Sequence, residues 1–210
     1  TLFLKKAETL FRFGDYFINY AHTNNSNQRT NYILPLGQPY NHIYKAFAKD
    51  LKNNLKKSAS NKLQYNSSED FEKAIAVYKN IYGRKIESIK KTDFERFRDL
   101  CYQLHSKQML IVREVRDAAG TLLAIALCLK DNRRLYLLAD STTEEGKKMK
   151  ANHFLLDHLI QEFSNTAYIL DFEGSDLPGV KYFYVNFGGI NQPYYFHHWN
   201  KLPWPIRLLK

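Results

Sequence analysis

Ile43, Phe47, Leu51 and Leu55 recur at every fourth position of YNHIYKAFAKDLKNNLKKS, with Tyr44 and Ala48 beside them. That spacing predicts a helix with one apolar face. Lys45, Lys49, Lys52 and Lys56 form a second stripe on it, read either as a solvated face or as an electropositive rim for a phosphate-rich ligand. After a short strand, KLQYN, the segment SSEDFEKAIAVYKNIYGRK predicts a helix with a serine cap, acids in its first turn and an end at Gly83. TDFERFRDLCYQLHSKQ predicts another, capped by Thr92 with Glu95 three positions on. MLIVREVRD, TLLAIALCLKD and RRLYLLADS then run apolar or alternate between turn signals at Asp117–Gly120 and Asp131-Asn132, which predicts an antiparallel meander. EEGKKMKANHFLLDHLIQEFSN predicts a long helix with Met149, Phe154, Leu155, Leu159 and Phe163 inward. AYILDFE reads as a buried central strand, PGVKYFYVNFGG as a short helix from Pro178 to Gly188, and QPYYFHHW as a final strand.

Upstream, FRFGDYFINY and NYILPL read as strands and HTNNSNQRTN as a polar turn or loop. These pieces are too few to close a domain alone. They are read as the end of something larger, or as an edge added to the domain that begins near residue 62. From residue 62 onward the order is β-α-α-β-β-β-α-β-α-β, an α/β (α+β) layout around a mixed, largely antiparallel sheet flanked by helices.

Composition narrows the function classes. The 210 residues, 44% hydrophobic and 25% charged, are ordinary for a globular chain that buries a core. No apolar run is long enough to span a membrane, and the first residues lack the order of a secretory signal. The absence of Met at position 1 points to a fragment. Cys101 and Cys128 sit in apolar periodic segments, so buried free thiols in a reducing, cytoplasmic setting are expected over a disulfide. Net charge is +10, and residues 1–66 hold ten Lys/Arg against Glu8, Asp15 and Asp50, or +7. Such a basic surface either favours phosphate-bearing partners or serves solubility. His153 and His158 are five apart, not the four of a metal pair, and no zinc pattern, nucleophile elbow or P-loop occurs.

The stretch DFEGSDLPGVKYFYVNFGG, with NYILPL, AFAKDLKNNLKKS, RLYLLADS, EEGKKMKANHFLLDHLI and PYYF, resembles the GCN5-related N-acyltransferase (GNAT) fold in its Fem-like branch. The resemblance covers most of residues 30–196. Fem-type proteins carry two such domains in tandem. On that reading residues 1–40 are the tail of a first domain, 41–61 a basic linking helix, and 62–210 a complete second domain. The resemblance implies a bacterial N-acyltransferase that moves an acyl or aminoacyl group from a thioester, acyl-CoA or acetyl-CoA, to an amine on a small molecule or cell-wall precursor. No metal is implied. The segment 67–106 is too short for the coiled-coil arm with which some Fem-like enzymes bind tRNA.

The resemblance also assigns residues. The donor would lie along the strand at Leu138, Ala139 and Asp140 and over the turn Lys147-Lys148-Met149-Lys150-Ala151-Asn152. The family pattern there is Arg or Gln, two residues, Gly, one residue, then Gly or Ala. Lys147 takes the basic position, and Lys150 stands where the glycine belongs. Tyr184-Val185-Asn186-Phe187-Gly188 has the spacing of the tyrosine that protonates the leaving thiolate, where several Fem-type enzymes have lysine. Asp171 and Glu173, two apart on a strand, share one face, so either is a candidate base, Glu173 preferred. Three other readings stay open: an inactive binding or scaffold relative, an aminoacyl-tRNA-dependent peptidyltransferase, and a nucleic-acid-binding protein resting on charge alone.

Overall fold

In chain order the strands are β1 (Lys6–Arg12), β2 (Ser26–Arg29), β3 (Tyr32–Pro35), β4 (Gln64–Ser68), β5 (Leu110–Arg116), β6 (Leu122–Lys130), β7 (Arg134–Thr142), β8 (Ile169–Asp171), β9 (Ile190–Asn191) and β10 (Tyr194–Asn200). The helices are α1 (Tyr40–Ala46), α2 (Lys49–Ala59), α3 (Phe71–Tyr82), α4 (Lys91–Ser106), α5 (Glu144–Lys148), α6 (Ala151–Phe163) and α7 (Pro178–Asn186). The computed structural model describes residues 6–12, 26–83, 90–173 and 178–200, with backbone alone for 6–12, 26, 27 and 196–200.

The meander forms as the apolar pattern requires, β5 to β6 and β6 to β7, both antiparallel. It sits within a seven-stranded sheet of order β4-β5-β6-β7-β8-β3-β9, where, among the described residues, only the β7–β8 pairing is parallel. The layout is therefore the mixed, mostly antiparallel α/β sheet that the element order predicts. One core cluster lies under α2, α6 and α7 and includes Leu51, Leu155, Leu159, Phe172 and Phe187. The other lies under α3 and α4 and includes Phe71, Ile75, Phe94, Cys101 and Ala139. Two covered faces explain why β6 is buried from Leu123 to Cys128 without alternation. Cys101 and Cys128 are free and buried, and burial pushes their thiols up to about 11 and about 12.

Several expectations shift. The helix expected over Tyr40–Ser58 is two helices, broken where Phe47 and Ala48 turn extended. No glycine or proline marks the break. Phe47 is held in the core against Phe187, with ring centroids 5.4 Å apart, and Ala48 N–H donates to the Asn186 carbonyl at 2.9 Å. The apolar stripe still holds, since Ile43, Phe47, Leu51 and Leu55 are all buried. The cap of α3 is Asp70, which accepts from Lys73 N–H at 2.9 Å; Ser68 Oγ instead accepts from Asp70 N–H. Helix α4 begins before Thr92, and its box is made by Asp93 reaching back to Lys90 N–H at 2.8 Å. The expected long helix divides at Met149-Lys150 into α5 and α6.

At the chain ends, Ser26–Arg29 is a strand rather than a loop, and β10 is not an edge of the central sheet. It pairs with β1 and β2 in a separate three-stranded sheet. β3 joins the central sheet between β8 and β9. Of FRFGDYFINY, only Phe11 and Arg12 fall in β1; residues 13–20 lie outside the described residues.

Candidate active site

β7 and β8 pair from Arg134↔Ile169 to Tyr136↔Asp171. β7 stays paired with β6 as far as Thr142. Among the described residues, β7 has no β8 partner from Leu137 onward, and the sheet opens into a wedge. At its base Leu127 faces Ala139 while Cys128 faces Leu137, so Leu138 is the extra residue of a β-bulge. Bulges gather beside active sites because they re-aim backbone groups and side chains.

Arg134 closes the narrow end. Its guanidinium donates to Asp171 at 2.9 Å, and Asp171 is fully buried. The other Asp171 oxygen accepts from Glu173 N–H at 3.0 Å. The strand ends at Asp171, and Glu173 takes a left-handed conformation with φ of 61°. Asp171 and Glu173 therefore do not share a strand face. The turn aims Glu173 independently, and Asp171 is engaged in holding Arg134. Phe172 points into the core, as alternation requires, and is 1% exposed.

The opposite wall is α7. Tyr184 stacks on Phe172, with ring centroids 4.7 Å apart and planes 18° apart. Burial pushes its phenol well above the ordinary tyrosine range, reinforced by Asp140, Tyr82, Glu173 and Tyr78 around it. These groups converge although they come from α3, β7, α7 and the end of β8. The Gly-Gly after α7 has a steric cause. Gly188 has φ of 78°, and a Cβ on Gly189 would lie 2.7 Å from the Tyr184 carbonyl, which accepts both Phe187 N–H and Gly189 N–H.

Asp140, expected from sequence to line the donor, contributes its side chain. Burial pushes its carboxyl up, opposed by an Asn152 amide that donates to it at 2.8 Å. Its charge in turn acts on Tyr78 and Tyr82, whose phenols are raised first by burial and then by Asp140. Sequence reasoning missed both tyrosines; their four-residue spacing on α3 was the available signal.

The turn into α6 is built as a glycine-type corner without the glycine. Lys150, the N-cap of α6, has φ of 59° and ψ of 33°, the left-handed conformation a glycine adopts freely. Thr143 anchors the corner, donating through N–H and Oγ to the Leu123 carbonyl and accepting Gly146 N–H. Gly146 is obligatory, because a Cβ there would collide with the Leu123 carbonyl oxygen. Lys147 and Lys148 pair with Glu144 and Glu145 at 2.6 and 2.9 Å on the exposed side of α5. Such exposed pairs are weak and exchange readily for another anion. Met149 is partly buried, and Ala151 is buried at the start of α6.

Beyond this corner a cleft of about 360 Å³ separates α2 from α6 and α7, lined in part by Asn54, Lys57, His153 and Tyr182. Burial and the Lys150 ammonium pull the His153 imidazole down to about 4, so it is neutral near pH 7. Among the described residues, no three His, Cys, Asp or Glu side chains form a metal-binding group, and no helix is long and apolar enough to cross a membrane.

A family model described as an acetyltransferase (GNAT) domain matches residues 45–178. The crystal structure of FemX superposes with a TM-score of 0.67 at 13% identity, over 86% of this chain and 63% of that one. A conserved protein of unknown function from Bacteroides thetaiotaomicron gives a TM-score of 0.58 at 12% identity, over 83% and 63% of the two chains. L-PGS from Bacillus licheniformis gives 0.53 at 10% identity, over 88% and 65%. The chain thus spans less than two thirds of these structures. No curated protein matches it significantly.

Proposed function

Given that the chain belongs to the GNAT acetyltransferase family, we propose that it transfers an acyl group from a thioester, acyl-CoA, to an amine within the β7–β8 wedge. The observation that carries this reading is the convergence of Tyr184, Glu173 and Asp140 at the point where β7 loses its strand partner beside the Leu138 bulge.

The residues present fit such a donor. The open edge of β7 at Leu138–Asp140 offers amide and carbonyl groups to an extended amide-bearing arm. The first-turn N–H groups of α6 have no partners within the helix and sit at its positive end, where they attract phosphate. Lys147, Lys148 and Lys150 add charge within one turn. Asn152, at the Gly/Ala position of the family pattern, is tied back to Asp140. The donor supplies the activated acyl carbonyl. The chain's own groups do the rest. Glu173 takes a proton from the ammonium, which makes the amine nucleophilic. Backbone N–H at the bulge meets the charge that develops on the carbonyl oxygen. Tyr184 gives its proton to the departing sulfur; its raised phenol is protonated at any working pH, as an acid must be.

The expected first-domain tail at residues 1–40 divides between two sheets: β1 and β2 pair with β10, and β3 lies in the central sheet. Buried thiols fit a reducing, cytoplasmic setting.

The test is donor binding followed by transfer. Millimolar acetyl-CoA raises the melting temperature if it binds the native state, and acetylation of an amine panel then follows. Absence of a shift and of transfer rejects the reading. Lys150→Gly relieves the left-handed strain, about 1–2 kcal/mol for a residue with a Cβ, against the roughly 0.5–1 kcal/mol entropic cost of glycine. The variant is therefore expected to be more stable by about 0.5–1 kcal/mol in urea unfolding and to bind acetyl-CoA at least as tightly.

A further inference from the structure

Three of the large apolar side chains left exposed among the described residues gather in one place. Tyr182, 57% exposed, and Val185, 44% exposed, are one turn apart on the outer side of α7; Ile190, 57% exposed, follows in β9. Tyr184 and Phe187 take the inward positions of the same segment and are buried. The end of α7 abuts the junction of α1 and α2. Ala48 N–H donates to the Asn186 carbonyl at 2.9 Å, and a Cβ on Gly188 would lie 3.5 Å from that of Ala46. Lys45 and Lys49 flank that junction, and the Tyr182 hydroxyl donates across to Asp50 of α2 at 3.0 Å. The apolar groups therefore border a lysine-rich face. α1, α2 and α7 carry Lys45, Lys49, Lys52, Lys56, Lys57 and Lys181 against the single acid Asp50. Lys52 is held by the Lys45 carbonyl at 2.9 Å. The other five are exposed, and none has an ion-pair partner among the described residues. Leu100 and Tyr102, exposed on α4, have no such setting: Lys91, Arg96 and Arg98 there are matched by Asp93, Glu95 and Asp99, and Tyr102 donates to Glu72.

We propose that this face docks on the surface of an anionic lipid bilayer, with Tyr182, Val185 and Ile190 entering the headgroup boundary and the lysines of α1, α2 and α7 lying against lipid phosphates. Each lysine close to a negatively charged membrane surface is drawn to it. A tyrosine with a bonded hydroxyl and an exposed ring suits the interface, where one end stays wet and the other does not. Val185 and Ile190 decide the partner. They gain only where an apolar phase covers them, and a phosphate backbone, which would satisfy the lysines equally, does not supply one. Charge and apolar area together give the two attractions that surface binding to a membrane combines. The proposal is independent of the acyl-transfer reading, since none of these side chains takes part in the chemistry of the wedge.

Co-sedimentation of the full chain with large unilamellar vesicles tests it, using phosphatidylcholine alone, phosphatidylcholine mixed with phosphatidylglycerol, and a single-stranded RNA oligonucleotide as a polyanion without an apolar phase. The chain is expected to bind the mixed vesicles at least about tenfold tighter than the neutral ones. Raising the ionic strength from about 0.1 M to about 1 M shortens the Debye length from about 10 Å to about 3 Å and should weaken that binding at least about tenfold. Lys49→Ala with Lys56→Ala is expected to weaken it about tenfold or more. Val185→Ser with Ile190→Thr is expected to weaken vesicle binding about threefold to tenfold and to leave RNA binding unchanged. The lysine variant alters only exposed side chains, so it remains informative should the apolar variant lose its fold. No binding to the mixed vesicles at low salt, equal binding to neutral vesicles, or unchanged binding in both variants overturns the proposal. So does vesicle binding that the apolar variant leaves intact while the lysine variant lowers vesicle and RNA binding alike, which assigns the face to polyanions in general.

Discussion

Tyr184→Phe is expected to slow amine acylation by about tenfold to a thousandfold, the usual contribution of a positioned general acid, with little change in melting temperature. The variant removes one oxygen and keeps the ring that stacks on Phe172 at 4.7 Å, so the core contact survives. The loss should fall on the acyl-transfer step, with donor binding by calorimetry unchanged. The pH profile gives an independent signature. Burial raises the phenol, so its ionisation does not set the basic limb of the wild-type profile below the ordinary tyrosine range near about 10. Tyr184→Ala, by contrast, loses the stack as well and should cost about 3–5 kcal/mol in stability. A Tyr184→Phe rate within twofold of wild type would remove the phenol from the mechanism.

Arg134→Met is expected to lower unfolding free energy by about 3–5 kcal/mol, because it removes the guanidinium that donates to the buried Asp171 carboxylate. Asp171 is fully buried, and Arg134 meets it at 2.9 Å. Position matters as much as charge. Tyr136↔Asp171 is the last parallel pair before the sheet opens, so the ion pair pins the apex of the wedge and, through Glu173 N–H on Asp171, the turn that carries the candidate base. Replacing both partners with apolar residues, Arg134→Met with Asp171→Leu, should recover most of the stability. It should not recover activity, since the turn at Glu173 loses its acceptor. A loss under about 0.5 kcal/mol in the single variant, the scale of an exposed pair, would contradict this account of the apex.

Much of the fold was legible because its signals are local. The meander, the α3–α4 pair, α6 and the helix at Pro178–Asn186 follow from apolar period and turn residues within their own segments. Boundaries set by distant contacts were not legible. The Phe47–Ala48 break depends on Phe187 and the Asn186 carbonyl, more than a hundred residues away. Asp70 and Ser68 rank alike as caps, so the choice between them was not legible, and Lys90 caps α4 with no side-chain bond of its own. At the site, Tyr184 was singled out only through the family resemblance; the structure places it on α7, stacked on Phe172. Lys150 was legible as a departure, but its left-handed backbone shows that the corner survives the substitution. The partnership of Asp171 with Arg134 was not legible, since those residues belong to strands whose parallel register no local pattern encodes.

The central claim is that the unpaired length of β7 receives a nucleotide-bearing thioester. A crystal structure after soaking with acetyl-CoA addresses it most directly. The account predicts the extended arm along Leu138–Asp140, the phosphates over the N–H groups of Ala151 and Asn152, and the sulfur within reach of the Tyr184 hydroxyl. Density for the ligand elsewhere with the β7–β8 wedge filled by side chains, or an empty wedge at millimolar acetyl-CoA, would contradict it.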